Sequence, residues 1–232
     1  MNPHEVQIQS CFVSVVKRAG EVIVCRVTDT PAIPRPAATI ILLRRGGRHA
    51  DRGLEILMVR RGDGQSFMPG VWVFPGGVIE QDETAEECAA RELAEETKIE
   101  LEAGTRLYAW SRWITPEVVP VRFDTHFFVA VAPAHSPPQP DGAEVDDAGW
   151  FNPERALESH RAGELKLVFP TIRTLETLLP YSRAEEVLAA APERDLEPIL
   201  PRVAGTRDAH RVLLPGDDGY EDAAPDVNRL PS

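Results

Sequence analysis

Two short apolar runs set the strongest limit on what this chain can fold into. They are AATIILL (37–43) and LEILMVR (54–60), and a basic, glycine-containing loop separates them. Runs of this length, bounded by turn-forming residues, are typical of strands buried in a sheet. The sequence therefore predicts two buried strands, which other elements have to cover.

The remaining segments alternate in type along the chain. Further strands are predicted at 11–16 and 21–27 as a hairpin, at 71–74 before a PGG turn (75–77), at 106–114 and at 126–133. Helices are predicted over about 82–97, after Asn152 with Pro153 in the first turn, and at 169–179 and 182–190. This order indicates a mixed α+β sandwich. We expect a single domain over 1–232, with a core of about 11–191 and a Pro-rich, acidic C-terminal segment of about 192–232.

The helix predicted over 82–97 has a defined start and one apolar face. Thr84 and Glu87 form a capping-box signature, and Asp82 is a competing N-cap. A stripe at helical spacing is expected to face the sheet, and it consists of Ala85, Cys88, Ala89 and Leu93. Cys88 is therefore interpreted as a small core residue rather than a reactive thiol.

Composition argues against several classes of function. The formal net charge is −12, whereas non-specific binding to nucleic acid needs a basic face. An acidic protein can still bind a phosphorylated small molecule if divalent cations lie between the two sets of negative charge. The sequence contains no run of about 18 apolar residues, so no membrane span is expected. Its three widely spaced cysteines and the absence of a signal-peptide pattern at residue 1 predict a cytoplasmic protein.

Three glutamates of RELAEETK (91–98) lie on one face of the same helix. Glu92, Glu95 and Glu96 stand at positions i, i+3 and i+4. Like charges at these spacings disfavour an isolated helix by roughly 0.2–0.5 kcal/mol per pair. A solvated face normally intersperses lysines, so the uncompensated cluster suggests a divalent cation held by carboxylates. On spacing alone, a solvated helix face remains the simpler alternative.

The segment around these acids, GGVIEQDETAEECAARELAEETKI (76–99), resembles the Nudix box. That pattern is G, five residues, E, seven residues, then R-E-U-x-E-E-x-G-U, where U is aliphatic. Counted from Gly77, eight of the nine specified positions match. The one departure is Lys98, where the family has glycine.

The resemblance implies a Nudix fold, in which a mixed β-sheet is sandwiched between helices (α/β/α). It also implies hydrolysis of a nucleoside diphosphate linked to another moiety, with Mg²⁺ or Mn²⁺. Carried over by position, the metal ligands and catalytic acids are Glu92, Glu95 and Glu96, with the backbone carbonyl of Gly77 as a further ligand. Glu83 and Arg91 are implied to hold the loop and the helix together. A homodimer is one expectation, because Nudix relatives often dimerise.

Four residues outside the acidic helix face are further candidates. Glu144, in GAEVDDAGWF, is a candidate outer metal ligand or catalytic base, and the alternative is one solvated acid among several. Arg60 and Arg61 end the strand that leads to the box. Strand alternation sends them to opposite faces, so at most one reaches a phosphate. With Gly76, they are the predicted substrate-binding residues.

The substrate is less constrained than the chemistry. SFMPGVWVFPGGV (66–78) and RWITPEVVPVRFDTHFFVA (112–130) are similar to the Nudix branch of coenzyme A diphosphatases, which suggests CoA or acyl-CoA. The Leu/Thr-rich signature of another CoA-cleaving branch is not evident before PGG, so ADP-ribose and nucleotide sugars remain alternatives. A non-catalytic, nucleotide-binding regulator with this fold is a third hypothesis. Four aromatic residues can either stack an adenine or fill the core, namely Trp110, Trp113, Phe127 and Phe128.

Lys98 raises a separate question. The family glycine suits a left-handed C-cap, where a side chain costs about 1 kcal/mol. Lys98 must either adopt that conformation or let the helix continue, and its charge complements the helix dipole. We predict that it changes stability rather than catalysis.

Overall fold

The computed structural model describes residues 31–45, 53–64, 68–206 and 209–223. Its strands are β1 Arg35–Arg45, β2 Leu54–Arg61, β3 Trp72–Val73, β4 Gly76–Val78, β5 Tyr108–Ile114, β6 Phe123–Val131, β7 Val145–Phe151, β8 Arg202–Thr206 and β9 Ala209–Leu213. Its helices are α1 Ala85–Thr97, α2 Pro153–Arg161, α3 Phe169–Leu178 and α4 Ala184–Ala190, followed by a 3₁₀ turn at Ala191–Glu193. The hairpin predicted at 11–27 lies outside the described residues.

Seven of the described strands form one mixed sheet. Its order is β3-β2-β1-β6-β5, while β4 also pairs with β1 and β7 also pairs with β2. The β1–β6 pair is parallel, and β1 runs antiparallel to β2 and β4. The prediction of two buried strands is confirmed, because Ile40 and Leu57 are fully buried in the two strands.

Helices cover the sheet on both faces. Alternate residues of β1 (Ala38, Ile40 and Leu42) share a core with Cys88 and Leu93 of α1. The intervening β1 residues are equally buried, and α4 packs on β1 and β6 while α2 packs on β2. The predicted α/β/α sandwich is therefore confirmed. None of the helices in the described ranges is long and apolar enough to cross a membrane.

Helix α1 begins as the sequence predicts. Thr84 is the N-cap, and the reciprocal hydrogen bonds of the capping box with Glu87 are both present. The competing N-cap, Asp82, instead lies in the preceding turn with a φ of 64°. Cys88 is fully buried, and burial raises the pKa of its thiol to about 11, which suits a core residue.

The segment predicted as a PGG turn is different, because Gly76–Val78 forms strand β4. It pairs antiparallel with β1, with Gly76 opposite Thr39 and Gly77 opposite Ala38. A Cβ at Gly76 would lie 2.1 Å from Oγ1 of Thr39 and 2.4 Å from the carbonyl oxygen of Ala38. Glycine is therefore needed for the close approach of the two backbones rather than for a turn.

The described chain divides into two compact units. One comprises Arg35–Trp113 and Phe123–Pro198. It contains the four helices and the seven-stranded sheet, except for Ile114 at the end of β5. The other includes Ile114–Arg122 and the residues from Ile199 onward, where β8 and β9 pair as an antiparallel hairpin. Within that unit, the Tyr220 hydroxyl donates to the Leu200 carbonyl at 2.7 Å. The division into a single domain with a segment from about 192 stays a prediction.

Candidate active site

Three carboxylates from two parts of the chain meet at one point. Glu92, Glu96 and Glu144 each offer an oxygen atom, and these atoms all lie within 4.8 Å of one another. Glu92 and Glu96 project from one face of α1, one turn apart. Glu144 comes from the loop immediately before β7, and β7 reaches this place because it pairs with β2.

Strand β4 brings its backbone against the acids of α1. The Gly76 N–H donates to Oε2 of Glu96 at 3.2 Å. A Cβ on Gly77 would lie 2.2 Å from Oε1 of Glu92, so a side chain at position 77 would displace that carboxylate. The thiol of Cys88 lies 3.7 Å from the Gly77 carbonyl oxygen. The role of that carbonyl as a metal ligand stays a prediction.

Burial makes the acid cluster electrostatically unfavourable in the absence of a cation. Glu96 is 5% exposed, and its burial, with the nearby charge of Glu92, raises the pKa of its carboxyl to about 8. Burial also raises the pKa of Glu92, although Arg91 opposes this shift. A charged ligand of opposite sign would relieve both effects, because it stabilises the ionised carboxylates.

Arg91 and Glu83 connect the loop after β4 to helix α1. The Arg91 guanidinium donates to both Glu83 oxygens, at 2.8 and 3.0 Å, and to the Val78 carbonyl at 3.2 Å. The hydrogen bonds from Arg91 lower the pKa of Glu83 to about 2. Arg91 also donates to Oε1 of Glu92 at 2.8 Å. These are the contacts that the predicted supporting role of Arg91 and Glu83 requires. Through its hydrogen bond to Glu92, Arg91 also supports one acid of the cluster.

Glu95 has different surroundings from its neighbour Glu96. Its side chain is 60% exposed, and its Oε2 accepts from Nη1 of Arg91 at 3.1 Å. The acid group that the described residues bring together contains Glu92, Glu96 and Glu144, without Glu95. Arg91 therefore forms an i, i+4 ion pair with Glu95 beside its contact with Glu83.

Arg60 and Arg61 lie in different environments, as strand alternation predicts. Arg60 pairs with Asp146 at 2.7 Å and with Asp63 at 3.4 Å. The charge of Arg61, in contrast, acts on Glu96 and lowers its pKa, so Arg61 lies on the side of the acid cluster. The role of either arginine in binding a substrate phosphate stays a prediction.

The four aromatic residues considered for base stacking all belong to the core. Trp110, Trp113, Phe127 and Phe128 are between 0% and 7% exposed. Trp113 packs edge-on against Phe169, and Phe127 packs edge-on against Phe74. Their rings are covered by protein, which supports the core interpretation over adenine stacking.

Two residues of the site were not predicted from the sequence. Thr39, which is 8% exposed, donates to the Pro75 carbonyl at 3.1 Å and so fixes the entry to β4. Asp141 accepts hydrogen bonds from backbone N–H groups of the loop that carries Glu144. An Asp-Gly pair three residues before Glu144 was the available signal, since such pairs are typical of side-chain-capped turns.

A mixed sheet between helices, with the acidic face of α1 against the glycine strand β4, defines an α+β sandwich with a carboxylate cluster at the edge of its sheet. The sequence model of the NUDIX domain matches residues 33–169 of this chain. The chain therefore belongs to the Nudix family.

The similar proteins with names are distant relatives, and the alignments cover only part of their length. The chain is 34% identical over 119 residues to the acyl-coenzyme A diphosphatase NUDT19 of Homo sapiens, an alignment that covers 49% of this chain and 32% of that protein. It is 30% identical over 144 residues to the NAD-capped RNA hydrolase NudC of Stutzerimonas stutzeri, covering 62% of this chain and 46% of the relative. The chain thus spans less than half the length of either protein.

A solved structure agrees with the fold. The crystal structure of a NUDIX hydrolase from Alicyclobacillus acidocaldarius superposes with a TM-score of 0.60 at 27% identity, covering 68% of this chain and 96% of that one. Together with the family match, this likeness shows the Nudix fold for the sheet and its helices.

Proposed function

We propose that this protein hydrolyses the pyrophosphate bond of a nucleoside diphosphate linked to another moiety, with a divalent cation. One observation carries the proposal, namely the convergence of Glu92, Glu96 and Glu144 within 4.8 Å. Three carboxylates at this distance repel one another unless a cation lies among them. Family membership supports the same chemistry.

The donor set fits Mg²⁺ or Mn²⁺. These ions prefer oxygen ligands, and the cluster offers carboxylate oxygens beside the backbone of Gly77. Glu92 and Glu96 would hold the ion from α1, and Glu144 from the opposite loop. When bound, a divalent ion supplies charge neutralisation at the pyrophosphate and lowers the pKa of a water molecule.

Other tasks in the proposed hydrolysis fall to individual side chains. Glu144 is exposed, so it can orient or deprotonate a water molecule that enters from solvent. Arg61, on the side of the acid cluster, supplies a cation for a substrate phosphate. Arg91 keeps Glu92 oriented through its hydrogen bond, and Glu83 keeps Arg91 oriented.

CoA or acyl-CoA is our first candidate substrate. The similarity to a human acyl-coenzyme A diphosphatase supports this choice, and it agrees with the resemblance of 66–78 and 112–130 to that branch. ADP-ribose and nucleotide sugars are the alternative substrates. The similarity to an NAD-capped RNA hydrolase adds the dinucleotide NAD to the group that has to be compared.

A substrate panel tests the proposal. CoA, acetyl-CoA, ADP-ribose, a nucleotide sugar and NAD are incubated with Mg²⁺ or Mn²⁺, and products are separated by chromatography. Glu92→Gln and Glu96→Gln are expected to lower kcat by several orders of magnitude, because each removes a charge that would hold the ion. Glu86→Gln, an exposed acid at the start of the same helix, is the control and should leave turnover unchanged.

The same panel separates the enzyme from a regulator. If no substrate is cleaved by the wild-type protein while nucleotides still bind, the regulatory hypothesis replaces ours. Unchanged turnover in Glu96→Gln would overturn the ligand assignment even if the wild type is active.

A further inference from the structure

We infer that Asp141 is a positioning residue that sets the place of Glu144 in the acid cluster. The inference rests on the proposed function, because it gives Glu144 a task at the same site. Asp141 Oδ1 accepts hydrogen bonds from three consecutive backbone N–H groups, those of Ala143 at 3.1 Å, Glu144 at 3.1 Å and Val145 at 3.0 Å. One carboxylate therefore fixes the direction of the backbone on both sides of Glu144.

The position of Glu144 depends on its backbone. Among the described residues, its side chain has no hydrogen bond or ion pair to another protein group, and it is exposed. A freely rotating carboxylate stays near Glu92 and Glu96 only if its Cα is held at the correct place. The contacts of the backbone of this loop are consequently what brings Glu144 to the cluster.

Those contacts form a short path from α1 to Glu144. The Gln139 N–H donates to the carbonyl of Thr97, the last residue of α1, at 2.8 Å. On the far side, the Gly62 N–H donates to the Glu144 carbonyl at 2.9 Å. Between these two anchors, the Asp141 side chain is the group that bends the chain, with Gly142 at a φ of 75°. Loss of Asp141 would leave both anchors and the backbone hydrogen bond from the Gly142 N–H to the Val145 carbonyl. It would remove the three hydrogen bonds that hold the N–H groups of residues 143–145.

The end of the box helix faces the same carboxylate. Burial raises the pKa of Asp141, but the three N–H groups and the charge of Lys98 outweigh it, so its pKa is lowered. A carboxylate is a strong acceptor for N–H donors. Lys98, the one departure from the box pattern, lies close enough for its charge to act on Asp141.

An ordinary loop cap and a positioning residue predict different results. A cap contributes to stability only, so its loss would lower the melting temperature without changing the response to metal. A residue that positions a metal-site acid typically changes metal affinity or activity by about 10- to 100-fold when it is removed. The measurements have to separate these two outcomes.

The experiment uses Asp141→Ala, Asp141→Asn and Asp141→Glu in the full chain, with Asp147→Ala as the control. Asp147 is an exposed acid of the same region whose carboxylate accepts from the next N–H. Three quantities are measured for each: kcat on the substrate the panel identifies, the Mn²⁺ concentration for half-maximal activity, and the Kd of Mn²⁺ alone by electron paramagnetic resonance. The melting temperature is recorded in parallel.

We expect Asp141→Ala to lower kcat or weaken Mn²⁺ binding by about tenfold or more. Asp141→Asn keeps an acceptor oxygen and should retain activity within about threefold. Asp141→Glu keeps the charge but displaces the acceptor by one methylene, so it should resemble Asp141→Ala. The glutamate variant also keeps the inference testable if the alanine variant does not fold.

The double variant Asp141→Ala/Glu144→Gln gives the sharpest test. If Asp141 acts through Glu144, its removal adds nothing once Glu144 is gone, so the double variant should match Glu144→Gln alone. Two results overturn the inference while leaving the proposed function intact. One is that the double variant loses the sum of the two single effects, and the other is that Asp141→Ala has wild-type kcat and Mn²⁺ affinity. A wild type that binds Mn²⁺ without cleaving any substrate overturns the proposed function alone, because the Kd comparison still tests Asp141. A wild type that neither binds nor cleaves overturns both.

Discussion

The two segments that supply the acid cluster hold their carboxylates in different ways. The box segment, Gly76 to Thr97, is fixed by pairing of β4 with β1, a complete capping box and the Arg91–Glu83 pair. The loop 141–145 is fixed by polar contacts to one side chain and two neighbouring backbone groups. Glu96 is accordingly buried, whereas Glu144 is exposed.

This difference indicates what the two parts of the site, the box half (76–97) and the loop half (141–145), can contribute. A buried acid on a rigid helix keeps its place whatever the ligand, but its charge is unfavourable until a cation arrives. An exposed acid on a loop has little electrostatic cost and can adjust as the ligand changes. The box half therefore suits permanent cation binding, and the loop half suits the steps that involve water.

The largest expected effect separates the two halves directly. Glu96→Gln should lower kcat by roughly 10³-fold or more, because it removes a buried ligand charge worth several kcal/mol. Glu144→Gln should have a smaller effect, of about 10²-fold, as expected for a group that orients or deprotonates water. Steady-state kinetics at saturating Mg²⁺ measure both, and equal losses would show that the halves are not distinct. If Mg²⁺ above the concentration that saturates the wild type restores the kcat of Glu144→Gln, Glu144 is an outer ligand rather than a base.

The next effect concerns the stability of the box half. Arg91→Met should lower the free energy of unfolding by about 2 kcal/mol, because it leaves the partly buried Glu83 without its partner. Glu83→Gln/Arg91→Met should be no less stable than Arg91→Met, since the unpaired charge is then absent. Urea denaturation measures these values. A double variant that loses the sum of both single effects would show that the pair does not act as a unit.

A third prediction uses the pH dependence of the metal-free protein. The folded-state pKa of Glu96 is about 8, above the ordinary value of 4.5, so between these pH values the folded state binds a proton that the unfolded state does not. The free energy of unfolding should therefore fall as pH rises through this window. Glu96→Gln removes this contribution, and at the upper end of the window it should melt a few °C above the wild type.

Thermal melts in a chelator, across that pH window, provide the measurement. The variant and the wild type should converge as the pH approaches the lower limit, because Glu96 is then protonated in both states. A wild type whose melting temperature rises relative to Glu96→Gln with increasing pH would contradict the electrostatic argument. Glu144→Gln, which keeps the buried Glu96, should lose stability with rising pH much as the wild type does.

The smallest expected effect lies at the junction of the two halves. Lys98 adopts the left-handed C-cap, with a φ of 59°, and its N–H donates to the Ala94 carbonyl. Glycine is free of strain there, so Lys98→Gly should stabilise the protein by at most about 1 kcal/mol. Loss of the hydrogen bond from Nζ to the Glu95 carbonyl reduces that gain. We expect kcat/KM to change by less than about twofold, and a larger change in kcat/KM than in stability would show that Lys98 acts on the substrate or the cation.

Local patterns were sufficient to predict helix α1 of the box half. Periodicity placed Glu92 and Glu96 on one face of α1, and the Thr84–Glu87 signature located its first turn. The same periodicity put Glu95 on that face, but it does not report how deeply each position is buried. The structure shows the difference, with Glu96 at 5% and the Glu95 side chain at 60% exposure.

The rest depends on contacts between distant segments. Strand β4 is too short and glycine-rich to be predicted from propensity, and it exists because β1 offers hydrogen-bonding partners. The meeting of Glu144 with α1 requires β7 to pair with β2, a register that no local pattern encodes. The Asp141–Gly142 pair is typical of a capped turn, but only the position of Glu144 beside α1 connects that turn with the site.

The pairing of β7 with β2 also bears on the order in which the protein folds. Glu144 follows Glu96 by 48 residues (144 − 96), and β5 and β6 lie between them in sequence. Closing a loop of that length is entropically costly and slow, so the third acid should join the other two late in folding. A cation that needs all three acids binds the native chain and not the transition state that precedes it. Its effect would therefore be to slow unfolding while leaving the rate of folding nearly unchanged.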